Sequence, residues 1–193
     1  MLSLFAGTFE QMPAGLDMRL GAYRHSVFVE ELGWQLACQE GDERDQFDRP
    51  DTVYVVAQDD AGELCGCARL LPTTQGYLLG DVFPELMNGV SPPHSPDLWE
   101  LSRFSTRPST PGKALSRDEQ RERFCALFRA LTGAALQRGA ARLITFTALG
   151  VERILRQIGI HAHRIGPPQW IDGQPVIAMY IELDELTAKA LEP

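Results

Sequence analysis

No stretch of this chain is apolar for long enough to span a bilayer, and its first residues, Met1-Leu-Ser-Leu-Phe-Ala6, carry no basic segment ahead of an apolar one. Neither a membrane span nor a secretory signal is expected, and the expected location is the cytoplasm. Cysteine is sparse: Cys38, Cys65, Cys67 and Cys125, with no CxxC pair. That spacing favours neither zinc nor a disulfide framework. Cys65 and Cys67, two apart, read as small apolar side chains on one strand face. His25, His94, His161 and His163 are scattered without acidic partners, so no metal site is expected. Basic charge is short as well. A net charge of −8 argues against a nucleic-acid partner. Repeats and low-complexity tracts are missing, and the Pro/Gly/Ser-rich stretches 89–97 and 106–113 read as loops within a domain.

What remains is an ordinary globular composition: 193 residues, 44% hydrophobic and 23% charged. That length suits a single domain over 1–193 with a sizeable core. The charge is unevenly placed. Residues 40–51, EGDERDQFDRPD, hold six acids against two arginines. From Arg138 to Ile171 Glu152 is the only acid, against Arg138, Arg142, Arg153, Arg156 and Arg164. A cation-binding and an anion-binding region would produce this pattern, and so would two solvated surfaces that differ.

Periodicity predicts an amphipathic helix over 14–32, then a hairpin of strands 53–58 and 65–71 around Asp59-Asp-Ala-Gly62. A third strand is predicted over 98–104. Ser116-Arg-Asp-Glu119 is a capping-box pattern, followed by Phe124, Leu127, Phe128, Leu131 and Leu136 at helical spacing. A strand over 142–147, a short helix over 150–158 and a strand over 176–183 after the turn Asp172-Gly173 complete the series. The fold class implied is α/β, a mixed sheet flanked by helices.

Two arginines interrupt apolar faces. Leu16, Leu20, Arg24 and Phe28 form an i, i+4 series, so Arg24 lies in line with core residues. Alternation sets Arg69 with Cys65, Cys67 and Leu71. A guanidinium buried without a partner costs several kcal/mol, so each requires carboxylates; the alternative for Arg24 is an arginine snorkelling at the stripe's edge. Asp45, Asp48 and Glu100 are the candidates. Glu100 and Arg103 fall on opposite strand faces unless the strand bulges or ends there.

Four runs, in order, resemble LuxI-type acyl-homoserine-lactone synthases, the autoinducer synthase family. They are Tyr23-Arg24-His-Ser-Val27-Phe28-Val-Glu-Glu-Leu-Gly-Trp34; Asp45-Gln-Phe-Asp48; Gly66-Cys-Ala-Arg69-Leu-Leu-Pro-Thr-Thr74; and Trp99-Glu100-Leu-Ser-Arg103-Phe104. The resemblance covers roughly residues 1–185, and one such run would be weak evidence where four in register are strong. It implies a sheet like that of the GNAT acyltransferases. It also implies two substrates, S-adenosylmethionine and an acyl group usually carried on acyl carrier protein, with no cofactor besides them.

On that resemblance, Arg24, Arg69, Arg103, Asp45, Asp48 and Glu100 are the expected catalytic set, with Glu100 as the base that deprotonates the attacking amine. Phe28, Trp34, Arg103 and Phe104 are expected to hold S-adenosylmethionine, the rings favouring its sulfonium. Without the motif, Trp34 would be read as core. An acyl pocket is expected beside the strand Leu143–Thr147, from Leu101, Phe146, Thr147, Leu149 and Leu155. Thr147 matches a position that recognises a 3-oxo group. Arg153, Arg156 and Arg164 are expected to dock an acidic carrier protein. Two other readings remain open: a GNAT-type N-acyltransferase using acyl-CoA, and a non-catalytic ligand-binding module on the same fold. The first is opposed by Ser109-Thr-Pro-Gly-Lys-Ala114, which lacks the rest of a Q/R-x-x-G-x-G/A phosphate loop. The second would be expected to have lost charged cleft residues, and none is lost.

Overall fold

The structure is a computed structural model, and it describes residues 2–109, 112 and 114–192. Thr110, Pro111 and Lys113 of the Ser109–Ala114 stretch lie outside the described residues. Among the described residues, eight strands form a mixed sheet in the order β1-β2-β3-β4-β5-β8-β6, with β7 also pairing β8. The strands are β1 Ser3–Thr8, β2 Val53–Gln58, β3 Leu64–Pro72, β4 Leu98–Thr106, β5 Arg142–Ala148, β6 Ala162–Arg164, β7 Gln169–Ile171 and β8 Gln174–Glu182. The helices are α1 Leu16–Arg24, α2 Leu78–Asp81, α3 Arg117–Leu136, α4 Leu149–Ile158 and α5 Glu185–Ala190. No helix among the described residues is long and apolar enough to cross a membrane. The chain divides into two compact units, Met1–Arg69 with Arg103–Leu131, and Leu70–Ser102 with Thr132–Pro193.

In the first unit, β3 is covered on both faces. On one side Leu16, Leu20, Tyr23, Val27 and Phe28 pack on Tyr54, Val56, Leu64 and Cys67. Gly66 points the other way, where an added Cβ would stand 3.2 Å from the Ser105 carbonyl oxygen and 3.3 Å from Leu127 of α3. The missing side chain lets α3 lie close to the strand, and Phe104, Phe124 and Phe128 fill the adjoining space. The capping box opens α3 as predicted: Ser116 N–H donates to Glu119 Oε2 at 2.8 Å, and Glu119 N–H to Ser116 Oγ at 3.2 Å.

The helix predicted over 14–32 needs correction. It is α-helical only over Leu16–Arg24 and continues as a π-helix over His25–Glu31. Leu32 N–H donates to Val27 O, an i to i+5 bond. Apolar spacing over two turns does not separate the two windings, because Leu16, Leu20, Arg24 and Phe28 are buried in either.

In the second unit, β5 and β8 pair antiparallel from Arg142↔Glu182 to Ala148↔Val176. Ile177, Met179 and Ile181 of β8 are buried, as are Leu155 and Ile158 of α4. The latter helix stops at Gly159, whose φ of 96° suits a left-handed cap that only glycine takes without strain. The expected turn Asp172-Gly173 joins β7 to β8, with φ of 48° and 75°. Cys38, Cys65, Cys67 and Cys125 are free thiols, the last three buried; burial pushes the Cys67 thiol up to about 11.

Candidate functional site

Three arginines of the first unit are almost withdrawn from water: Arg24 and Arg103 are 3% and 6% exposed, Arg69 1%. Each meets two carboxylates. Arg24 donates through Nε to Glu43 Oε2 at 2.6 Å and grips Asp48 with Nη1 and Nη2 at 2.7 and 3.0 Å. Arg69 Nη1 lies 2.6 Å from Asp45 Oδ1 and 3.4 Å from Asp48 Oδ1. Arg103 Nη2 donates to Glu43 Oε1 at 2.9 Å and to Asp45 Oδ2 at 3.0 Å, with Nε 3.1 Å from Glu43 Oε2. Followed around, the contacts close a ring: Arg24, Glu43, Arg103, Asp45, Arg69, Asp48 and back to Arg24. Three positive charges face three negative ones, so the ring is neutral.

Local structure explains how a loop presents three carboxylates inward. Asp45 N–H donates to Asp48 Oδ2 and Phe47 N–H to Asp45 Oδ1, which curls 45–48 into a tight turn. Tyr54 Oη adds a bond to Asp48 Oδ1 at 2.8 Å. Glu43 N–H ties the loop to Gly21 O of α1 at 3.1 Å, where a Cβ on Gly21 would stand 1.8 Å from Asp42 Oδ1. Burial alone would push Asp48 up. The hydrogen bonds and charge of Arg24, helped by Arg69, reverse that and hold its carboxyl well below the usual carboxylate range. Burial also opposes ionisation of Glu43, and the bonds from Arg103 and Arg24 win there too. For the Arg24 and Arg69 guanidinium groups, burial is again outweighed by the carboxylates, and both are held more firmly charged.

An aromatic wall adjoins the ring. Phe28 and Trp34 stack with centroids 4.9 Å apart, and Trp34 N–H reaches back to Phe28 O at 2.9 Å. The Arg103 guanidinium carbon lies 5.6 Å from each ring centroid. Phe28 is buried while Trp34 stays 41% exposed, so the wall has an open side. At Arg103 the backbone takes φ of 51°, which breaks the strict alternation of β4. Its carbonyl accepts from the Cys67 thiol at 3.1 Å. The next ring, Phe104, does not join the wall; it packs on Phe124 and Phe128.

The remaining candidates belong to the second unit. Glu100 is fully buried, and its Oε2 accepts the Leu79 N–H at 2.6 Å. The parallel ladder of β4 and β5 registers Leu98, Trp99 and Glu100 with Arg142, Leu143 and Ile144. Just beyond, the Thr145 hydroxyl donates to Leu101 O at 2.8 Å. Leu101 and Leu155 are buried, while Phe146, Thr147 and Leu149 are half-buried. Phe146 packs on Phe83 at 5.0 Å. Arg153, Arg156 and Arg164 are exposed, but two of them share Glu152: Arg164 through a fork at 2.7 and 2.7 Å, Arg156 at 3.3 Å.

Sequence reasoning passed over Glu43, which lies two residues before Asp45 in the quoted acidic run. Charge counting did not point to it, because Asp45, Asp48 and Glu100 already supplied a carboxylate for each arginine.

A family model described as autoinducer synthase matches residues 14–191. An acyl-homoserine-lactone synthase of Ralstonia solanacearum is 50% identical over 183 residues, covering 94% of this chain and 89% of that one. Among solved structures, TofI in a ternary complex with an inhibitor and MTA matches with a TM-score of 0.85 and 45% identity, over 98% of this chain and 96% of that one. The AHL synthase LasI matches with a TM-score of 0.86 and 32% identity, over 99% and 94%. The mixed sheet flanked by helices is their GNAT-like fold. Sequence and fold agree across nearly the whole chain, and this protein belongs to the autoinducer synthase family.

Proposed function

We propose that this chain is an acyl-homoserine-lactone synthase that takes its acyl group from acyl carrier protein and makes a quorum-sensing signal in the cytoplasm. The observation that supports it best is the neutral arginine–carboxylate ring beside the Phe28–Trp34 stack. S-adenosylmethionine carries a sulfonium, an amine and a carboxylate, and it must be held folded. A ring already satisfied internally keeps its shape before the substrate arrives, and orientation of that kind supplies several kcal/mol of the barrier. The Phe28 and Trp34 faces suit the sulfonium. No further cofactor enters the scheme; S-adenosylmethionine is consumed as a substrate.

Two bonds form. The methionyl amine, deprotonated by Glu100, attacks the thioester carbonyl carbon, and the thiol leaves as the amide forms. Backbone N–H groups where β4 leaves its regular pairing are our choice for meeting the developing oxyanion. The substrate's own carboxylate oxygen then attacks its γ-carbon, the C–S bond breaks, and methylthioadenosine departs with the electron pair. Leu101, Phe146, Thr147, Leu149 and Leu155 are the proposed acyl pocket, the Thr147 hydroxyl facing a 3-oxo oxygen.

The test is to incubate the protein with S-adenosylmethionine and a panel of acyl carrier protein and CoA thioesters. Mass spectrometry should find an acyl-homoserine lactone together with methylthioadenosine. Methylthioadenosine without lactone would mean hydrolysis and end the reading; lactone from CoA thioesters alone would end the carrier-protein part.

Docking of the carrier is assigned to Arg153, Arg156 and Arg164. With net charge −8 the whole molecule opposes an acidic partner, so the attraction must be local, within about 8–10 Å. Glu152 cancels one of these three charges and leaves a patch of two. Replacing Arg153 and Arg156 with glutamate should raise KM for the carrier thioester by about tenfold or more and move that for S-adenosylmethionine little. Equal shifts in both would sink the docking assignment.

A further inference from the structure

Glu43 is the most enclosed acid of the ring, 1% exposed, and the one that joins Arg24 of α1 to Arg103 of β4. Its two oxygens accept three N–H bonds of 2.6, 2.9 and 3.1 Å from the two guanidinium groups. Arg103 in turn stands over both aromatic rings of the wall. Resting on the synthase reading above, we infer that Glu43 is the positioning residue of the S-adenosylmethionine site: it aims Arg103 at the Phe28–Trp34 wall and supplies the third negative charge that keeps the ring neutral toward a cation.

The charge argument is separable from a packing argument. With glutamine at this position the ring holds three guanidinium groups against two carboxylates, a net charge of +1, in a place largely shielded from solvent. The glutamine amide also turns an N–H group toward guanidinium donors. A sulfonium brought to the adjoining wall is then repelled, whereas an uncharged thioether is not. S-adenosylmethionine and methylthioadenosine differ in this respect: both carry the adenosine and the sulfur, and only the first is cationic at sulfur. S-adenosylmethionine also carries a methionyl amine and carboxylate that methylthioadenosine lacks, so a packing defect is read from aspartate at this position, which keeps the charge, and a charge defect from glutamine alone.

The experiment is calorimetric titration of wild type, E43Q, E43D and the exposed control E30Q with S-adenosylmethionine and separately with methylthioadenosine, without any acyl donor. E43Q is expected to weaken S-adenosylmethionine by about tenfold or more and methylthioadenosine by less than about threefold. E43D keeps the charge on a side chain one methylene shorter; its ratio of the two dissociation constants should stay near that of wild type. E30Q should match wild type for both. Equal weakening of both ligands by E43Q, or an E43Q that binds as wild type does, overturns the inference while leaving the synthase reading intact. If E43Q does not fold, E43D decides alone: a ratio displaced about tenfold from wild type overturns it. Wild-type protein that binds neither ligand removes the synthase reading, and this inference with it.

Discussion

Replacing Glu100 with glutamine should lower kcat by about 10²–10⁴-fold, the range for loss of a positioned general base, while the dissociation constant for S-adenosylmethionine moves less than about threefold. Glutamine has the size of glutamate, and its carbonyl oxygen can still accept the Leu79 N–H now 2.6 Å from Oε2. What it cannot do is take a proton from the attacking amine. The buried position matters, because a carboxylate shielded from bulk water keeps its proton-transfer partner from being replaced by solvent. The measurement is steady-state release of methylthioadenosine across pH, beside calorimetric binding. Retention of more than about a tenth of wild-type kcat at pH 7 would remove Glu100 from the role of base.

Arg24→Met should cost about 3–5 kcal/mol of unfolding free energy in the first unit's network, because it strands Glu43 and Asp48 in a buried place with half their partners gone. Urea unfolding should show a lower midpoint at unchanged slope. Arg44→Met is the comparison. Arg44 is also paired, with Asp42 at 3.1 Å, but its side chain is 37% exposed, so its loss should cost less than about 1 kcal/mol. Equal losses for the two would show that the ring has no special energetic standing. Acid probes the same contacts from the other side. Glu43 and Asp48 both lie below their ordinary values of 4.5 and 3.8, so the stability they lend is fully present above about pH 5. It is lost as pH falls below those values toward the depressed ones. In Arg24→Met this acid-dependent part of the stability should shrink.

Much of this arrangement was legible in the residues, and the illegible parts have identifiable causes. Arg24 announced itself because a charge stood in an i, i+4 apolar series, and Arg69 because it broke an alternating strand face. The Ser116–Glu119 box marked the start of α3 because its two bonds are local. Glu43 was hidden since its partners, Arg24 and Arg103, lie 19 and 60 positions away and no spacing rule links them. The break in alternation at Arg103 was posed as a condition rather than read, because a φ of 51° at arginine has no sequence mark. β1 escaped notice for a different reason: as an edge strand it leaves Leu4 41% exposed and buries no clean alternating stripe. β6 and β7, three residues each, are too short to show a period. The roles assigned to Glu100, Phe28 and Trp34 came from the family resemblance, not from patterning; an arginine-rich core by itself names no substrate.

The closed circuit of six charges also limits how this protein can change over generations. Every member answers two others, so one conservative exchange leaves a neighbour with an unmet ion in a nearly dry setting, and the damage is not repaired by a second exchange elsewhere. A solvated pair such as Arg44 and Asp42, 37% and 40% exposed, carries no such constraint. A change at any one of the six is therefore answered at the two charges it touches before the circuit is neutral again.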